Sequence, residues 1–98
     1  MRVLCGANSV NMKYYFNEDE FWLLPKQIKD ELKILLVSLI ADVGGAATLQ
    51  FDDDGKLQIT TIDPIDEIGA ELKIHEIQRE YEGLFHQLED YEKEFGPC

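Results

Sequence analysis

Between Val10 and Phe16 the apolar residues Val10, Met12, Tyr14 and Phe16 alternate with Asn11, Lys13 and Tyr15. That period of two predicts a strand over 10–16 with one buried face. Ahead of it the apolar run Val3 to Cys5 gives way to Gly6-Ala7-Asn8-Ser9, which reads as a loop. Asn17 followed by Glu18-Asp19-Glu20 reads as a helix start, with a side-chain acceptor for a backbone N–H and acids at the positive end of the dipole. Phe21 to Leu24 form a short apolar turn that closes one end of the core.

The period then lengthens to 3.6. Pro25 suits a first helical turn, and Ile28, Leu32, Leu35, Leu36, Leu39, Ile40 and Val43 form one stripe of a helix over 25–43. Ile34, Val37 and Ala41 add a second stripe, so this helix needs cover on more than one side. Gly44-Gly45 ends it. Alternation returns over 47–62 as a hairpin whose turn is Asp53-Asp54-Gly55, with Phe51 opposite Leu57 and Leu49 opposite Ile59.

Asp63-Pro64-Ile65-Asp66 resembles a capping box and opens the strongest pattern in the chain. Ala70, Ile74, Ile77, Tyr81, Leu84, Leu88, Tyr91 and Phe95 recur at a 3.5-residue period, a heptad seam on a helix over 64–95. Unbroken, that helix would reach about 48 Å, while a compact chain of this size has a radius of gyration of only ~13 Å. It either projects or breaks, and Gly69 and Gly83 are the expected places for a break. The fold class is α+β: a small antiparallel sheet of strand 10–16 and hairpin 47–62, packed by a helix 25–43 and a long C-terminal helix 64–95. Residues 1–98 form one domain on this reading.

Composition narrows the function. The 98 residues carry 20 acids and 9 bases, a net charge of −11, which repels nucleic-acid backbones and anionic membranes and leaves basic proteins as charge-favoured partners. Residues 63–98 hold 11 of the acids and 3 of the bases, net −8, so the charge concentrates on the last helix, with Lys26, Lys29 and Lys33 expected to neutralise part of it. The apolar window Ile34 to Ala41 is far shorter than a membrane span of ~20 residues. No signal-peptide pattern opens the chain, and Cys5 and Cys98 lack metal or disulfide-scaffold spacing, so a reduced cytoplasmic setting is expected.

Catalytic chemistry finds no footing. His75 and His86 each follow a glutamate by four residues, Glu71 and Glu82, which puts imidazole and carboxylate on one helix face, but both histidines point away from the seam and no metalloprotease or di-iron pattern is present. Asp52-Asp53-Asp54-Gly55 lacks the glutamate of a calcium loop, since Thr61 stands at that position. Cys5 has no activating basic neighbour, and Gly44-Gly45 follows a helix rather than a strand, unlike a phosphate loop. No catalytic residue, metal or cofactor is therefore expected.

Val3-Leu4-Cys5-Gly6-Ala7, Tyr14-Tyr15, Leu24-Pro25, Glu31-Leu32-Lys33-Ile34, Asp42-Val43-Gly44-Gly45, Phe51-Asp52 with Gly55, Asp66-Glu67-Ile68-Gly69 and Leu72-Lys73-Ile74 resemble a family of short acidic cytosolic proteins from anaerobic Gram-positive bacteria with no assigned function. The resemblance implies a bacterial cytosolic domain and transfers no site. The function expected from the residues is a non-enzymatic protein–protein interaction module, a homodimeric acidic adaptor or chaperone-like protein. Its contact residues are Tyr81, Leu84, Leu88, Tyr91 and Phe95, and its possible client is basic. The alternatives are a small metal- or ligand-binding protein using Glu71, His75, Glu82 and His86, and an acidic nucleic-acid mimic.

Overall fold

A computed structural model describes residues 2–95; Cys98 lies outside the described residues. Four antiparallel strands, β1 (Arg2–Asn8), β2 (Lys13–Phe16), β3 (Ala46–Phe51) and β4 (Leu57–Ile62), form one sheet in the order β2-β1-β3-β4. The helices are α1 (Glu18–Phe21), α2 (Lys26–Val43), α3 (Glu67–Glu80) and α4 (Glu82–Phe95). The architecture is α+β, as the patterns predict.

The sheet gains a strand the patterns miss. Arg2–Asn8 is the central strand β1, pairing with β2 on one side and β3 on the other. Its alternation is hidden by a register irregularity between Val3 and Cys5, a bulge that buries both Leu4 and Cys5. The expected strand 10–16 begins only at Lys13. Residues 9–12 are instead the turn from β1 to β2: Val10 N–H donates to Asn8 Oδ1, Ser9 donates through both its N–H and its hydroxyl to Gly45 O, and Met12 takes a positive φ of 54°. Val10 and Met12 are accordingly exposed, while Tyr14 and Phe16 pack against the core.

The hairpin register is as expected, with Phe51 opposite Leu57 and Leu49 opposite Ile59. Asp52 holds its turn by accepting from the N–H groups of Asp54 and Lys56, and Gly55 takes a φ of 80°. Asn17 departs from expectation. It precedes α1, yet its side chain does not cap the helix but donates to Val3 O and Glu20 Oε2, stitching α1 to β1. Phe21 and Leu24 close the core while Trp22 and Leu23 stay exposed.

Helix α2 lays Leu32, Leu35, Leu36, Leu39, Ile40 and Val43 on the sheet and ends at Gly44, whose N–H reaches Ile40 O. Ile34, Val37 and Ala41, expected to need cover, are exposed among the described residues. The C-terminal helix does not start at 64. Ile65 N–H is tied to Val43 O, which holds residues 63–65 in a connection, and Asp66 rather than Asp63 caps α3 by accepting from Ile68 N–H. Nor does it run unbroken to 95. Tyr81, with φ −107° and ψ 27°, ends α3, and α4 starts afresh at Glu82. Gly69 is not the break but remains inside α3, where a Cβ would meet the Asp66 carboxylate at 2.7 Å. The turn at Tyr81 keeps the radius of gyration at 12.9 Å and the longest dimension at 36 Å, shorter than the ~44 Å of a straight helix over residues 67–95.

Candidate interaction surface

The break at Tyr81 decides what the heptad seam does. Leu84, Phe85 and Leu88 are buried in the core that α2 and the sheet share, and Tyr81 and Tyr91 are half-buried against it. The Tyr91 ring lies 6.2 Å from that of Phe21 and 5.1 Å from that of Phe95. Of the five expected contact residues only Phe95, 64% exposed, is open to solvent. Two polar contacts fasten α4: Glu89 Oε2 accepts from the Leu57 N–H on the sheet edge at 3.0 Å, and Glu92 Oε1 pairs with Arg2 of β1.

Arg2 is a junction. Its guanidinium sits 4.5 Å over the Phe21 ring and lies between Glu92 and Glu20. Burial pushes the Glu92 carboxyl above its usual range, against the pull of Arg2 and with the help of Glu20. The α2 lysines do not neutralise the last helix as expected. Lys26 pairs with Asp30 and Lys29 with Glu18, while Lys33 lies 5.8 Å from the Tyr14 ring centre. Helix α3 is bridged to α2 by Lys73 and Asp42 at 3.1 Å.

The other candidate chemistry stays apart. His75 is exposed on α3 and His86 on α4, and among the described residues no three His, Cys, Asp or Glu side chains converge as a metal set. The Cys5 thiol is fully buried and pushed up to about 12 by desolvation, the reverse of an activated thiolate. The neighbouring Tyr14 hydroxyl is buried without a hydrogen bond of sound geometry, and desolvation raises its pKa too.

What remains open is the sheet itself. All the helices that cover it lie on one face, the face of Cys5, Ala7, Leu49 and Phe51. The opposite face is bare. Register places Tyr15, Gly6, Thr48 and Thr60 in one row across it, Lys13, Asn8, Ala46 and Ile62 in a second, and Val3, Gln50 and Gln58 in a third. Tyr15 is 57% exposed and Ile62 52%. A shallow depression of about 450 Å³ runs over the end nearest β2, lined by Val3, Gly6, Tyr15 and Thr48 among others. No strand contains an Asp or Glu, so the 20 acids fall in helices and connections. Soluble surfaces carry roughly 25–35% charged residues, yet this face shows a single charge, Lys13. The polar half of the hairpin alternation was the available sequence signal; the bulge in β1 hid the rest.

Among the described residues no helix is long and apolar enough to cross a membrane. No curated protein matches the chain, and no solved structure does either. Matched from residue 1 to residue 96, the chain belongs to DUF6145, a family of unknown function.

Proposed function

We propose that this chain is a non-enzymatic protein–protein interaction module, an acidic adaptor that docks through its bare sheet face and offers its acidic helices to a basic client. The observation that carries the reading is the absence of acids from every strand of a chain with net charge −11. Strand propensity depletes acids to some degree, but an outer face that carries one lysine as its only charge is poor in the charged groups that interface cores exclude. Catalysis draws no support from a thiol held protonated and histidines that meet no partner set.

The test is a photo-reactive phenylalanine analogue placed at Thr48 in the native cell. The reading predicts a discrete protein adduct at Thr48 that is absent when the probe sits at Glu76 on α3 and is lost when Thr60→Asp charges the same face. No adduct at Thr48, or the same adduct from Glu76, would refute it.

A further inference from the structure

From the placement of charge and shape we infer that the occupant of the bare sheet face is a second copy of this chain, packed sheet to sheet about a twofold axis. The inference rests on the docking role argued above and names its partner. Two like chains of net charge −11 repel, so they can meet only where the charge is missing. Contact through α4 would oppose Glu89, Asp90 and Glu94 of the two copies. Sheet-to-sheet contact instead sets the helix layers on the order of 30 Å apart, counting ~10 Å between packed sheets and about one helix diameter behind each. That is several times the screening length of ~8 Å at physiological salt.

Shape points the same way. A twofold interface must be self-complementary, each feature meeting its counterpart on the other copy. Tyr15 and Gly6 are cross-strand neighbours on this face, a large exposed ring beside a position with no side chain. An added Cβ at Gly6 would already crowd Thr48 Cγ2 at 3.2 Å, so the hollow is not over Gly6 itself but is the shallow depression beside it, lined by Val3, Tyr15 and Thr48. Tyr15 of each copy can enter the hollow of the other. Four strands ~4.8 Å apart and about six residues long give a flat footprint near 400 Å² per copy, which places the contact at the small, weak end of protein interfaces, where dissociation constants in the micromolar range or above are expected.

Sedimentation equilibrium of the full chain from about 5 to about 500 μM brackets that affinity. The expected result is a mass rising from 11.3 kDa towards twice that value. Thr48→Asp and Tyr15→Asp should each raise the dissociation constant at least about tenfold, the cost of ~1.4 kcal/mol for an opposed charge pair, with the far-UV spectrum unchanged. Ile34→Asp and Leu72→Asp, on exposed helix faces, should leave it alone. Should one sheet variant unfold, the exposed Thr60→Asp reads the same face. A single 11.3 kDa species throughout, or a dimer indifferent to the sheet substitutions and lost on Ile34→Asp, overturns the inference. A monomer whose Thr48 probe still captures a different protein in cells overturns the second copy and leaves the docking role standing; failure of both experiments removes both.

Discussion

Tyr14 and Arg2 hold the buried polar atoms that lack hydrogen bonds among the described residues, the Tyr14 hydroxyl and Arg2 Nε. Nε still lies 3.5 Å from Glu20 Oε1; the hydroxyl faces the Cys5 thiol, a sulfur too weak as an acceptor to satisfy it. A buried donor without an acceptor costs about 1–3 kcal/mol, so Tyr14→Phe should stabilise the protein by about 1 kcal/mol, raising the melting temperature by ~4–8 °C. A drop in melting temperature would mean that the hydroxyl is satisfied in solution. Glu92 and Asp52 set opposite slopes with pH. The folded pKa of Glu92 lies above its unfolded one, chiefly through burial, so its charge opposes folding at neutral pH and the penalty disappears as pH falls through the raised value. That of Asp52 is lowered, first by the Lys56 N–H, so its contribution is present above the ordinary 3.8 and is lost as pH falls through the depressed value. The melting temperature should therefore climb as pH falls from neutral towards the ordinary 4.5 of Glu92 and decline below the ordinary 3.8 of Asp52, with a shallower climb in Glu92→Gln. A decline beginning at pH 7 would contradict this assignment.

At the scale of elements, two glycines separate what turns require from what helices tolerate. Gly45 has a φ of 67°, and a Cβ there would collide with the carbonyl oxygens of Ile62 and Asp63. Gly45→Ala should cost more than the ~1 kcal/mol that a positive φ alone imposes. Gly83, in the first turn of α4, has open space around a Cβ, so Gly83→Ala should be neutral or stabilising by up to about 1 kcal/mol. Chemical denaturation of the pair checks both, and a Gly83→Ala cost as large as that of Gly45→Ala would contradict the placement of the break at Tyr81. The same region shows what a sequence can and cannot disclose. The hairpin register was legible because Leu49, Phe51, Leu57 and Ile59 alternate without interruption. The seam from Ala70 to Phe95 was legible as well, but not its bend. Two successive helices, one lying on α2 and the next on the sheet, can keep a single apolar period, because the period records which residues are buried and not what buries them. β1 was lost for the converse reason: one bulge places Leu4 and Cys5 side by side in the core and erases the period of two.

Across the whole molecule, the net charge of −11 sits on helices and turns with few compensating pairs. Among the described residues Lys26–Asp30, Lys29–Glu18 and Lys73–Asp42 bridge partly or fully exposed groups, each worth at most about 1 kcal/mol. Self-repulsion outweighs them, so added NaCl should raise the melting temperature at neutral pH, and it should also strengthen association through the sheet face. A melting temperature that falls steadily with salt would show that attractive pairs dominate. The most direct measurement of the central claim, that the bare sheet face packs against a second copy of the chain, is a dilution series of two-dimensional amide spectra of the unmodified chain. The account predicts that dilution shifts the Gly6, Tyr15, Thr48 and Thr60 signals together along one binding curve while those of Leu72, His75 and His86 stay still. Shifts confined to the helices, or none at any concentration, would contradict it.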